Sequence, residues 1–318
     1  MTTARAVPAA PAAAPTAVPA DGGGTAFKIA LVLCISLFWG GNWPAVKTVL
    51  FELPPLTLRA IGFATGGIVL LGWAVVKGLR LRVPAAEVPW LLVTGILNIL
   101  VFNLCTAFAQ LVMPTSRAAI IAFTMPVWAT LLALPLLGER PGARQVAGLA
   151  LGMAGLLVLL GPEAVNGQGG PLLGPALMLT AAVSWALGTV LMKRRGQWVG
   201  HVIVVTGWQY AVAAAPLVLL AAAFETPPPP SDWHLPTWLA LGYHLVFSIC
   251  IAQMLWFVIV KRLTVGQAAV ATLLVPVVGV AGSVIILGDA LTVRLVAALA
   301  LVVSAVACVM IRRRNRAP

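Results

Sequence analysis

"AAIIAFTMPVWATLLALPLLGERPGARQVAGLAL", residues 118–151, and "AAVATLLVPVVGVAGSVIILGDALTVRLVAALAL", residues 268–301, are one pattern written twice. At a shift of 150 residues Pro126 meets Pro276, Gly138 meets Gly288, Glu139 meets Asp289 and Arg144 meets Arg294. Alanine and leucine coincidences carry little weight in so apolar a chain. The proline, the Gly-acid pair and the arginine held in one register carry more. A shift of 146 residues places Trp39 on Trp185 and Lys47 on Lys193, the difference being a loop insertion. The chain is a duplication.

What is duplicated follows from composition. The 318 residues are 61% hydrophobic and 9% charged, with a mean hydropathy of +1.04. A soluble domain carries about 25% charged residues, so this chain cannot clothe itself for water. It reads as a polytopic membrane protein whose surroundings are the lipid bilayer. A net charge of +12 would point to nucleic acid in a soluble protein. Here the cations lie in short connectors, where they set orientation, and no nucleic-acid partner is expected. Cys34, Cys105, Cys250 and Cys308 are isolated, and His201, His234 and His244 are scattered. Neither a metal site nor a cofactor is implied.

A spanning helix needs about 20 mostly apolar residues. Ten such runs are predicted: 27–50, 55–77, 88–110, 114–137, 141–161, 171–193, 199–224, 236–260, 265–287 and 292–311. They divide into a first five-helix repeat, 27–161, and a second, 171–311. Residues 1–26, rich in Ala, Pro and Gly without the apolar core of a signal peptide, read as a disordered cytoplasmic tail. Residues 312–318 read as a basic cytoplasmic tail. Five is odd, so the second repeat lies upside down relative to the first. The expected fold is all-α: ten transmembrane helices as two inverted repeats around a central cavity, an architecture of transporters. With the N-terminus inside, 16 of the 20 Lys and Arg face the cytoplasm. Both termini are therefore expected to be cytoplasmic.

In the first run, "FWGGNWPAVK" (38–47) concentrates polar and aromatic residues. At 100° per residue Trp39, Asn42, Trp43 and Lys47 share a sector of roughly 140°, a face unsuited to lipid. Pro44 has no N–H for the Gly40 carbonyl, which is left to accept from elsewhere. Lys47 sits near the outer end, where a lysine either snorkels to the interface, pairs structurally, or meets a substrate carboxylate. Asn103 and Gln253 coincide under the 150-residue shift. Pro126 and Pro276 each release a carbonyl, and are expected to kink helices 4 and 9 at equal depth. With Pro44 they are the candidate hinges. Asn98, Trp128, Trp185, Gln209, His244 and Gln267 complete the candidates. Each competes with a plain role, as an interhelical hydrogen bond of about 0.6–2 kcal/mol or as packing. Gly62/Gly66 and Gly148/Gly152 have the spacing of close helix contact.

These residues carry a resemblance. "FWGGNWPAVK", the run from Pro126 to Glu139-Arg140, and its echo from Pro276 to Asp289 resemble the drug/metabolite transporter superfamily in its ten-helix EamA branch. The resemblance covers residues 27–311 and implies a basket of helices exporting small metabolites, often amino acids. Within the branch the chain is most similar to bacterial aromatic amino acid exporters of the inner membrane. It departs from the pattern at Asp289, where Glu is usual, and at Ala186 to Thr189, which replace the Gly-Gly-Asn-Trp of the first half.

All eight Asp and Glu lie at helix ends or in loops. A proton-driven exporter keeps a carboxylate at depth, so facilitated export is favoured. The motifs of membrane enzymes, such as H-E-x-x-H or Gly-x-Ser-Gly with a partner His, do not occur. The expectation is an exporter of aromatic and other apolar amino acids, working by alternating access as a monomer. The alternative is an exporter of other small metabolites or drugs, with or without proton coupling; an enzyme or a channel is remote.

Overall fold

The computed structural model describes residues 25–139, 141–166, 172–196, 200–262 and 265–310. The two tails, Arg140 and the end of the 161–170 connector therefore lie outside the described residues, as does the side chain of Gln267. Among the described residues ten apolar helices follow one another, seven of them long and apolar enough to cross a membrane and three with shorter apolar stretches. They are α1 (Thr25–Gly40 continued by Asn42–Val49), α2 (Pro55–Val76), α3 (Ala85–Val112), α4 (Thr115–Ala122 continued by Met125–Leu137) and α5 (Ala143–Asn166). The second half repeats them as α6 (Leu173–Arg195), α7 (Val202–Phe224), α8 (Leu235–Tyr243, His244–Ile251 and Ala252–Arg262), α9 (Val265–Leu287) and α10 (Val293–Met310). Among the described residues there is no strand.

The duplication is visible in backbone detail. Gly138 and Gly288 end α4 and α9 in the left-handed region, at φ +67° and +72°. The next residue closes the same long bond in each case, Glu139 N to Ala133 O at 3.4 Å and Asp289 N to Ser283 O at 3.3 Å. Glycine is the residue that takes this conformation without steric cost. A second correspondence was not legible from hydropathy. α3 and α8 each widen into a π-helical stretch, Gly95–Val101 and His244–Ile251. Such widenings are rare and recur at functional sites.

The halves differ at their prolines. α4 is interrupted at Phe123–Thr124, so Pro126 begins a new helix, where its missing N–H costs nothing. Pro276 lies inside an unbroken α9. The duplicated prolines thus sit in different local structures. Ser116 N, at the start of α4, donates to Asp289 Oδ2 at 2.7 Å, tying that helix end to the α9–α10 corner. The first half of α4 packs against both α6 and α9, whereas its second half packs mainly against α6.

Small residues set the close contacts. A Cβ on Gly66 would stand 2.5 Å from Ile249 and 2.7 Å from Tyr210, and one on Gly62 3.0 Å from His244 Nε2. α2 therefore meets α7 and α8 through the glycine pair. Gly152 receives Val127 of α4 in the same way.

Candidate functional site

A cavity of about 290 Å³ opens between the two halves, close to the lower end of ordinary small-molecule sites, about 300–1,000 Å³. Its walls come from α1, α2 and α3 of the first half, α6, α7 and α8 of the second, and the middle of α4, α9 and α10. Phe63, Phe102, Phe123 and Tyr210 join Trp39, Trp43 and Trp185 as aromatic wall. Ile99 and Ile249, one from each π-helical stretch and 150 residues apart, both line it, as do Asn98 and Ser248.

The "WGGNWP" stretch builds one side, residue by residue. Trp39 packs on Trp256 at 5.5 Å between ring centroids. A Cβ on Gly40 would lie 2.5 Å from Val278 Cβ and 2.9 Å from the Val275 carbonyl, so α9 is seated on bare backbone. A Cβ on Gly41 would lie 2.4 Å from the Tyr243 hydroxyl, which donates to Leu37 O at 2.8 Å. Asn42 Oδ1 accepts from His244 Nδ1 at 2.6 Å. Trp43 rests on Phe123 at 6.4 Å, and Pro44 faces Gly282. Each polar or awkward residue of the stretch has a partner in another helix. Ser248 Oγ adds a bond to Phe38 O at 2.8 Å, and Ser184 Oγ makes the matching one to Leu97 O at 2.7 Å. α8 thus holds α1 as α6 holds α3.

Of the residues singled out in the sequence, Trp39, Asn42, Trp43, Asn98, Asn103, Trp185, His244 and Gln253 all line this cavity, together with Pro126. Lys47, Trp128, Gln209, Pro44 and Pro276 do not. Lys47 Nζ donates to the Gln110 carbonyl and lies 5.2 Å from the Phe51 ring centroid. That is the structural pairing. Trp128 donates Nε1 to Thr124 Oγ1 at 3.0 Å. Phe123, at the break in α4, lines the wall and Trp128 does not. Gln209 donates to Thr94 Oγ1 at 2.8 Å, a buried bond between α7 and α3.

The sequence reading missed Arg59. It was counted among the few cations outside the cytoplasmic set, yet it lies one turn inside α2, is 2% exposed, and lines the cavity. Its Nε donates to Asn103 O at 3.0 Å and one terminal nitrogen donates to Thr106 Oγ1 at 3.1 Å. The other terminal nitrogen, Nη1, is buried and has no hydrogen-bond partner. Among the described residues no carboxylate pairs with it. A buried charge without a counter-ion costs several kcal/mol, and inside a membrane span such a residue marks a functional site by default. A lone charge in a 22-residue apolar run was the signal available. Burial is what turns it into a site, and spacing alone does not show burial.

The remaining polar groups are mostly amides whose hydrogen-bonding capacity is only partly filled. Gln253 Oε1 accepts from Tyr210 at 3.4 Å, and Asn103 spends its amide N–H on Ile99 O. Asn98 donates to Thr189 Oγ1 at 3.3 Å, with its oxygen against Gly188. The cavity therefore pairs an apolar, aromatic body with one cation and a few amide oxygens.

The model of the EamA-like transporter family matches residues 26–161 and 172–311. The "Uncharacterized transporter YvbV" of Bacillus subtilis (strain 168) is 32% identical over 288 residues, covering 89% of this chain and 91% of that protein. The "Probable amino-acid metabolite efflux pump" of Escherichia coli (strain K12) is 27% identical over 282 residues, covering 82% and 87% respectively. One solved crystal structure superposes with a TM-score of 0.62 at 26% identity, over 90% of this chain and 96% of that one.

Proposed function

The chain belongs to the EamA-like transporter family, and on that premise we propose that it exports aromatic and other apolar amino acids across a bacterial inner membrane. The observation that carries this reading is the cavity wall, in which rings from α1, α2, α3, α4, α6 and α7 surround a small set of amide oxygens. A ring stacked on an aromatic side chain contributes about 0.5–1.5 kcal/mol beyond its buried area. The similarity to a protein named as an amino-acid metabolite efflux pump supports the same substrate class.

Transport proceeds by alternating access of the cavity. The bond from Ser116 to Asp289 and the contact of the first half of α4 with α9 support a bundle shut toward the face away from the termini. The second half of α4, past its break and packed on α6, is the segment expected to swing. The cytoplasmic placement of both termini rests on the distribution of Lys and Arg. Among the described residues the cavity walls carry neither Asp nor Glu, which favours export down the substrate gradient without a proton partner.

Proteoliposomes loaded with single radiolabelled amino acids test the assignment. Phe, Trp and Tyr are expected to leave faster than Thr, by about ten-fold at most, since 1.4 kcal/mol is one decade. Trp185→Ala is expected to reduce that preference, while Trp128→Ala, outside the cavity wall, keeps it. Faster release of Thr than of Phe by the wild type would replace the aromatic assignment with a general metabolite exporter.

A further inference from the structure

We propose that Arg59 is the anion receptor of the cavity, and that it takes the carboxylate of the substrate on its free Nη1. This deepens the amino-acid reading above and rests on it. The guanidinium is a planar fork with a fixed set of donors. Two of its three nitrogens are already committed to α3, one to Asn103 O and one to Thr106 Oγ1, at 3.0 and 3.1 Å. Those bonds come from residues one helical turn apart and fix the plane of the fork. The third nitrogen is buried, unpartnered, and belongs to a residue that lines the cavity.

The surroundings define what it can receive. Phe63 lies one turn further along α2, and Phe102 and Val46 also line the cavity. Water is a poor competitor in such a place, and a carboxylate oxygen is the complement of a charged N–H donor. The amide oxygens of Asn103 and Gln253 are acceptors for the ammonium of an α-amino acid. Arg59 repels that ammonium, so the zwitterion has one orientation. Lys47, held by the Gln110 carbonyl and not itself lining the cavity, takes no part. The receptor then demands a carboxylate on an apolar body and rejects the corresponding amine.

The test uses the full chain in lipid nanodiscs and calorimetric binding of L-phenylalanine, L-phenylalaninamide, 2-phenylethylamine and 3-phenylpropionate. In the wild type the two carboxylates are expected to bind about ten- to a hundred-fold more tightly than the amide and the amine, the range of one hydrogen bond to a charged group. In Arg59→Gln all four are expected to bind within about three-fold of one another, and Arg59→Lys, which keeps the charge without the fork, is expected to recover part of the preference. The wild-type series judges the proposal even where a variant does not accumulate. Equal binding of the amine and the acids overturns it, as does a carboxylate preference that survives Arg59→Gln. If 3-phenylpropionate binds over the amine while proteoliposomes release no amino acid, the export reading fails and the receptor stands. If phenylalanine is released but the amine binds as well as the acids, the receptor fails and the export reading stands.

Discussion

Asn42 Oδ1 lies 2.6 Å from His244 Nδ1, joining the first helix of one half to the third helix of the other. An amide oxygen only accepts, so the ring donates from Nδ1. The bond is one-sided. At the 146-residue shift Asn42 falls on Gly188, where a Cβ would stand 1.5 Å from Asn98 Oδ1. One half supplies an amide from helix 1; the other supplies a notch in helix 6 for an amide from helix 3. Asn42→Ala leaves the buried ring N–H without a partner, at a cost of about 1–3 kcal/mol. It is expected to lower both the thermal midpoint and phenylalanine release. Gly188→Ala drives the Asn98 amide off α6 and is expected to alter release with a smaller loss of stability. Thermal unfolding and flux on the same preparations check both.

Gly40 and Gly41 are needed for contact. Both have neighbours within 3 Å of where a Cβ would stand, among them a backbone oxygen, which for Gly40 is that of Val275 in α9 and for Gly41 that of Leu37 in its own helix. Gly40→Ala must therefore displace α9, whereas Gly41→Ala displaces the Tyr243 hydroxyl from Leu37 O. Overpacking costs about 1–3 kcal/mol. The expected order of thermal midpoints is wild type, then Gly41→Ala, then Gly40→Ala. A Gly40→Ala protein as stable and active as wild type would show that α1 and α9 do not need this approach.

The prolines test the inverted repeat. α4 is broken before Pro126 and α9 runs through Pro276 unbroken. If the halves exchange conformations during transport, α9 breaks at Pro276 as α4 straightens. Pro276→Ala restores a helix hydrogen bond in the present state and is expected to raise its stability while slowing turnover. Pro126→Ala, at a position where a proline is tolerated without loss, is expected to change stability little and turnover appreciably. Wild-type turnover in both variants would leave no hinge at either position.

Much of this was legible in the sequence, for identifiable reasons. The ten spans and the duplication rest on hydropathy and on a handful of residues, such as Gly138 and Gly288, whose backbone demand is stringent. The cavity face of α1 followed from helical period alone, because the interruption at Gly41 leaves that period nearly intact. Trp128 did not follow: α4 is interrupted at Phe123–Thr124, a break that no residue announces. The π-helical widening of α3 and α8 is likewise set by packing across helices. Arg59 was visible as a charge but not as a buried one. Lys47, a charge with an equal claim on paper, has its ammonium tied to the Gln110 carbonyl and does not line the cavity.

Orientation can be checked by chemistry at two points. A cysteine placed at Ser231, in the loop before α8, is expected to react with an impermeant maleimide in intact cells when the native cysteines are removed. One placed at Asn315 is expected to react only after lysis. The reverse pattern would turn every residue above to the other side of the membrane.

The central claim is that this cavity carries amino acids across the bilayer without an ion partner. Counterflow in proteoliposomes tests it most directly: vesicles loaded with unlabelled L-phenylalanine are diluted into a trace of the labelled amino acid, with no ion gradient imposed. The account predicts transient accumulation of label in the wild type, unchanged by a proton ionophore and reduced in Asn42→Ala and Arg59→Gln. Absence of any exchange, or accumulation that appears only when a proton gradient is applied, would contradict it.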